Sequence, residues 1–225
     1  MSFHGWGLVT LDLDGTLTTV HGWRFIAAAL DRMPEYEATY VKFRTGAIGE
    51  DEHLANMLRI ASGQRVERIQ ELLAETPKLL DIEPAIRRLR ASGCRVALLT
   101  HNPPYVCEWY VREFGLDGYG GTSMAPPVGG VIPDPGVVSA DKPKALQGLL
   151  RELWIPASEV VHVGDSSADA RVFPLVGGGV AFNPDRDAVA AAADVVVRSR
   201  SLLDLLPVLQ TLSPRALGAP PFERL

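Results

Sequence analysis

Leu8-Val9-Thr10-Leu11-Asp12-Leu13-Asp14-Gly15-Thr16-Leu17-Thr18 begins as an apolar, partly β-branched run and then carries two carboxylates one residue apart. A run this short and this apolar fits a strand buried on both faces, as in parallel sheets. If the strand continued through Asp14, alternate side chains would point the same way and Asp12 and Asp14 would converge. Carboxylates held close repel each other unless a cation, a shared proton or good donors compensate them. A divalent cation meets that need, and hard oxygen ligands favour Mg²⁺. Asp14-Gly15 alone is also a common turn signal, so the rest of the chain must decide between turn and site.

The 225 residues allow one large domain or a core with an insertion, and either can bury a sizeable interior. Formal net charge is −5 with acids and bases interspersed, so nothing points to a nucleic-acid or membrane-surface partner. An anionic ligand must therefore be attracted by local charges. No apolar stretch is long enough to span a bilayer. Cys94 and Cys107 have no metal-ligand spacing and read as reduced thiols of a cytoplasmic protein. No segment diagnoses an oligomeric state.

Outward from the acidic stretch, helical patterns occupy Trp23–Leu30, Tyr36–Phe43, Asp51–Ile60 and Val66–Leu73, with no strand candidate among them. Residues 18–78 are therefore expected to form an all-helical insertion after the first strand. From Glu83 the pattern alternates between helix and strand. Helices are expected over Glu83–Ala91, Pro104–Phe114 and Lys144–Leu153, and strands over Arg95–Thr100, Val160–Gly164, Gly179–Phe182 and Asp194–Val197. Tyr119–Val138, rich in Gly and Pro, is expected to hold a short strand and loops. This pattern predicts an α/β core of residues 1–17 and 79–212, a Rossmann-like parallel sheet covered by helices on both faces. Residues 213–225, with Pro214, Pro220 and Pro221, are expected to be a flexible tail or an arm on a partner.

Sites in such sheets lie beyond the carboxyl ends of the strands. There the sequence puts Asp12 and Asp14, then Thr100, then Asp165 with Asp169 a helical turn on, and Lys142 heads a helix. Carboxylates, a hydroxyl and an ammonium so placed suit metal-dependent phosphoryl transfer. His21, Trp23 and Arg24 either line a pocket or pack the hinge of the insertion. His101 and Asn102 border the site, although a turn before Pro103-Pro104 also explains Asn102. His162 reads as a satisfied core histidine.

With these positions in place, the chain resembles the haloacid dehalogenase-like hydrolase superfamily, and within it the phosphoserine-phosphatase-like group. The resemblance is carried by Asp12-Leu13-Asp14-Gly15-Thr16-Leu17-Thr18, the Leu98-Leu99-Thr100 strand end, Lys142 and Val163-Gly164-Asp165-Ser166-Ser167-Ala168-Asp169. It implies a phosphatase acting on a small phosphorylated metabolite, with Asp12 as nucleophile and Asp14 as general acid and base. Thr100 and Lys142 would hold phosphoryl oxygens, helped by backbone N–H groups after Asp12. Mg²⁺ would be bound by Asp12, the Asp14 carbonyl and Asp165, with Asp169 behind them. Thr16, His21, Trp23, Arg59, His101 and Asn102 are the candidate substrate contacts. A phosphoryl transferase of the sugar-phosphomutase kind, or an idle binding module, are the alternatives. The chain departs from the phosphoserine-specific pattern in three places. His21 stands where the family's amine-reading glutamate falls, Asn56 or Met57 where its cap arginine falls, and Ala168 where asparagine is common.

Overall fold

The computed structural model describes residues 5–217. Six strands, β1 (Leu8–Leu11), β2 (Arg95–Leu99), β3 (Tyr119–Gly120), β4 (Val160–Gly164), β5 (Gly178–Phe182) and β6 (Val195–Val197), form one sheet in the order β3-β2-β1-β4-β5-β6. Every pairing is parallel. The β1, β4 and β5 strands are buried throughout, which is why they read as unbroken apolar runs. Alternate residues supply the two faces. Leu8, Ala97, Leu99 and Val160 pack beneath Leu146 and Leu149, while Val9, Leu11, Val96, Leu98 and Val163 belong to the larger cluster opposite. Strand order reverses on either side of β1, so the crevice at its carboxyl end is the switch point of the sheet.

The helices are α1 (Gly22–Ala29), α2 (Met33–Arg44), α3 (Glu50–Arg59), α4 (Val66–Glu75), α5 (Ile82–Ala91), α6 (Pro104–Phe114), α7 (Lys142–Leu153), α8 (Ser167–Ala170), α9 (Asp187–Ala192) and α10 (Leu205–Thr211). Thus α1–α4 follow β1 without an intervening strand, as the periodicity predicts. The chain leaves and returns side by side, with Thr19 N–H donating to Pro77 C=O at 3.0 Å and Leu79 N–H to Leu17 C=O at 2.9 Å.

Three further ties hold this insertion to the core. The loop after β3 pairs with it through Gly63 N–H on Ile132 C=O and Val66 N–H on Gly130 C=O, each at 2.9 Å. At the head of α3, Arg171 grips Glu50 with two hydrogen bonds of 2.7 and 3.0 Å. Next to it Asp51 accepts the Ala140 N–H at 2.7 Å.

Two expectations need correction. The first strand stops at Leu11, because the chain turns where Leu13 C=O accepts the N–H groups of Thr16, Leu17 and Thr18. Gly15, at φ +87°, makes that turn. Asp12 and Asp14 therefore sit on a turn, and extended alternation is not what brings them together. The described part of the tail is docked on the core: Arg215 N–H donates to Gly177 C=O at 2.9 Å and its guanidinium pairs with Asp194 at 3.0 Å. Pro220 and Pro221 lie outside the described residues.

Ile26, Leu58, Ile69 and Leu72 of the insertion share one hydrophobic cluster with Leu11, Leu13 and Tyr110 of the core. We therefore expect Leu58→Ala, at a fully buried position, to cost about 2–5 kcal/mol. Urea unfolding followed by tryptophan fluorescence and by far-ultraviolet dichroism should give one coincident transition. A separate early transition would contradict a shared core.

Candidate active site

The site is built where three adjacent strands end. Asp12 follows β1 directly, anchored by its N–H on Val163 C=O at 2.9 Å. Thr100 follows β2, with its N–H on Gly120 C=O at 2.9 Å, and Asp165 follows β4. Lys142 is the first residue of α7, whose start is fixed by Asp141 accepting the Lys144 N–H at 3.0 Å and by Pro143 in the first turn.

At the centre the Lys142 ammonium, 2 % exposed, donates to Asp12 Oδ1 at 2.9 Å and to Asp169 Oδ1 at 2.6 Å. Asp169 is fully enclosed. Its Oδ1 also meets His162 Nε2 at 2.8 Å, while Oδ2 accepts the Ser166 N–H at 2.9 Å, the Ser166 hydroxyl at 2.7 Å and the Asp165 N–H at 3.2 Å. Burial disfavours its charge, but Lys142 and the hydrogen bonds from His162 and Lys142 outweigh that and hold its carboxyl far below the usual range. Burial likewise opposes the Lys142 charge, and the Asp12 and Asp169 carboxylates overcome it, so the ammonium persists. Burial chiefly lowers the His162 ring below the usual imidazole range, and its Nδ1 lies 2.9 Å from the Thr10 hydroxyl.

The other two acids lack such support. Burial, then repulsion from Asp169, pushes Asp12 up to about 7 in spite of Lys142. Burial, then repulsion from Asp12 and Asp169, pushes Asp165 up to about 9. Oxygen atoms of Asp12, Asp165 and Asp169 lie within 4.8 Å of one another, so one ammonium faces three carboxylates. Because donors already occupy both Asp169 oxygens, Asp12 and Asp165 are the groups with oxygens available to a cation. Gly15 permits this packing, since a Cβ there would collide with the Asp165 carboxylate.

Asp14 plays a different part from the other acids. Its Oδ1 accepts the Gly22 N–H at 2.5 Å and its Oδ2 accepts from Asn102 Nδ2 at 2.9 Å. Both Asp12 and Asp14 face one open cavity of about 410 Å³ between the strand ends and the insertion. His21, Trp23, Thr100, His101, Asn102, Lys142 and Asp165 line it too. The His101 Nε2 is buried without a hydrogen-bond partner among the described residues. Burial, then the Lys142 charge, lowers that ring to about 4.

Two candidate contacts lie elsewhere. Thr16 is folded inward by the turn at Leu13 and aims its hydroxyl at Asp165 Oδ1, 3.4 Å away. Arg59 points to a second cavity on the outer side of α3, where it binds Asp134 at 2.8 Å and Asn56 at 2.6 Å. Helical spacing explains this: His53, Leu54 and Met57 form the cavity face of α3, leaving Asn56 and Arg59 on another. Sequence reasoning missed Arg44, which reaches the main cavity from the end of α2, and His53, which stacks on Phe43 with centroids 4.5 Å apart. It also missed the support that His162 gives Asp169; the available signal was a histidine in an otherwise apolar strand three residues before Asp165.

Comparisons with known proteins agree with this architecture. A family model described as haloacid dehalogenase-like hydrolase matches residues 6–177. The phosphoserine phosphatase of Archaeoglobus fulgidus is 24% identical over 206 residues, covering 90% of this chain and 60% of that protein. Phosphoserine phosphatase SerB2 of Mycobacterium tuberculosis is 24% identical over 179 residues, covering 78% of this chain and 44% of that protein. The chain thus spans between two fifths and two thirds of these relatives' lengths. Among solved structures, a HAD family hydrolase from Salmonella enterica serovar Typhi superposes with TM-score 0.81 at 16% identity, over 91% of this chain and 71% of that one. A phospho-aspartyl intermediate analogue of phosphoserine phosphatase gives TM-score 0.73 at 19% identity, over 90% and 98%. With its sheet order, its acid turn at the switch point and a family match over most of its length, this chain belongs to the haloacid dehalogenase-like hydrolases.

Proposed function

We propose that this protein is a Mg²⁺-dependent phosphatase that hydrolyses a small phosphomonoester through a phosphoryl group carried on Asp12. The observation that supports it most is the buried Lys142 bridge between Asp12 and Asp169, with Asp165 beside it and Asp14 two residues on. An Asp12 carboxylate oxygen attacks phosphorus. The bond from phosphorus to the ester oxygen breaks, and that oxygen keeps the electron pair and takes a proton from the Asp14 carboxyl. The Asp14 carboxylate then removes a proton from water as its oxygen attacks the same phosphorus. The bond to Asp12 breaks, inorganic phosphate leaves, and both acids return to their starting forms. Lys142 and Thr100 hold phosphoryl oxygens meanwhile.

The under-compensated pair Asp12 and Asp165 fits a hard divalent cation, with the Asp14 carbonyl as a third oxygen. When bound, Mg²⁺ supplies positive charge against the carboxylates and the phosphoryl oxygens. Closure of the helical insertion as a cap over the cavity would keep bulk water from the phosphoryl group.

The cavity lining puts a serine leaving group in doubt. A free carboxylate is the strongest reader of an ammonium, yet outside the catalytic acids Glu50 is held by Arg171 and Asp185 faces Arg186 at 3.4 Å. His21, Phe43 and His53 offer aromatic walls, and Arg44 offers a cation. A phosphorylated sugar or acid suits this lining better than an amino acid.

Three outcomes are expected. Asp12→Asn should lower phosphate release by at least about 10³-fold, measured on a panel of sugar, acid and aryl phosphates with phosphoserine included. Activity retained in the variant would contradict the proposal. Asp14→Asn should cost about 10²–10⁴-fold on an alkyl phosphate in kcat/KM and far less on an aryl phosphate with a good leaving group. Equal losses would remove Asp14 from its role as acid.

The third concerns pH. Asp12 and Asp165 titrate above the ordinary 3.8 in the folded chain, so between about pH 4 and pH 9 the folded state holds protons that the unfolded chain has lost. The metal-free protein therefore loses stability from these groups as pH rises, and a cation that binds the ionised pair offsets the loss. Mg²⁺ should raise Tm more at about pH 8 than at about pH 5. An equal rise at both, or none at the higher pH, would exclude this cation site.

A further inference from the structure

We propose that Asn102, oriented by Trp23, is a positioning residue for the proton that Asp14 carries. The inference rests on the phosphatase reading and adds two residues to it. Asn102 is 4 % exposed and Trp23 2 %. The Trp23 indole N–H donates to Asn102 Oδ1 at 2.9 Å. Because an indole nitrogen can only donate, this contact requires the oxygen of the amide and fixes which way the amide faces. Its two N–H bonds are thereby directed at Asp14 Oδ2 and at the Thr100 hydroxyl, each 2.9 Å from Nδ2.

A turn-forming role does not explain the amide. An Asx turn would have Oδ1 accept the N–H two residues on, and that residue is Pro104, which has none. The main chain of Asn102 is anchored separately, its C=O accepting the Thr122 N–H at 3.0 Å. Within the loop the amide's one bond is to the Thr100 hydroxyl, and its other two reach Trp23 and Asp14.

Asp14 is gripped from both sides by adjacent residues at the start of α1. Gly22 does so directly through its N–H, and Trp23 does so through Asn102. With one donor on each oxygen, the carboxyl plane is fixed, and each oxygen keeps a second lone pair for the transferred proton. Proton transfer in the transition state depends steeply on such alignment. Trp23 and Asn102 are 79 residues apart in the chain, so this arrangement also makes the alignment of Asp14 depend on the insertion being seated.

The test compares kcat/KM for phenyl phosphate and p-nitrophenyl phosphate, which are matched in shape but differ in how much the leaving oxygen needs a proton. Wild type, Asn102→Ala, Trp23→Phe, Asp14→Asn and the Asn102→Ala/Asp14→Asn double variant are assayed, each with its thermal unfolding midpoint. Asn102→Ala should lose about tenfold on phenyl phosphate and about twofold or less on p-nitrophenyl phosphate, the size of one misdirected charged hydrogen bond. Trp23→Phe, which keeps the ring packing and removes only the N–H, should shift the ratio the same way by less. The double variant should be no worse than Asp14→Asn alone. Equal losses on both esters, or additive losses in the double variant, would overturn the proposal and leave the phosphatase reading standing. Absence of phosphate release by the wild type from either ester would instead overturn that reading, and this inference with it.

Discussion

An ammonium buried between two carboxylates is the constraint on which the rest of this structure depends. Lys142 has almost no access to water, so its charge persists only because Asp12 and Asp169 surround it. Removing one partner of such a group leaves an uncompensated buried charge, which costs more than the pair contributes. Three elements must therefore meet at one point: the end of β1 to deliver Asp12, the start of α7 to deliver Lys142, and α8 just after β4 to deliver Asp169. Parallel pairing of β1 with β4, and the capped start of α7, achieve this. Asp169 is ordered in turn by Ser166 and His162, so the support extends back to Thr10 inside the sheet.

The same crowding explains the division of labour among the acids. Asp169 has donors on both oxygens and serves as a fixed counter-charge. Asp12 and Asp165 are buried with too little compensation, and their carboxyls are pushed up accordingly. Asp14 looks toward the insertion, where Gly22 and Asn102 hold it. Four carboxylates within one loop cluster thus have three environments, and the chemistry proposed for each follows from its neighbours.

The sheet, its parallel sense and the helical insertion were legible because each depends on a short-range pattern. Apolar runs such as Val160–Gly164 mark strands buried on both faces, and the 3.6-residue period from Trp23 to Leu73 marks helices. The strand-end positions of Asp12, Thr100 and Asp165 follow from that pattern with the topology rule. Contacts made across long separations left no such mark. Helical spacing separates Arg59 from the face of α3 that carries His53, Leu54 and Met57, but which face meets the cavity, and that Arg44 reaches it from α2, is set by packing across the insertion. The grip of Arg171 on Glu50, and the Trp23–Asn102 bond, become visible only once the insertion is seated. The inward placement of Thr16, with its hydroxyl toward Asp165, likewise follows from the turn at Leu13 C=O.

Acid-quenched mass spectrometry of the protein mixed with p-nitrophenyl phosphate and Mg²⁺ tests the central claim most directly, because it looks for the covalent step itself. The account predicts a phosphoryl adduct that fragmentation places on Asp12, present during turnover and absent from Asp12→Asn. Turnover with no adduct, or with the adduct on another residue, would contradict it.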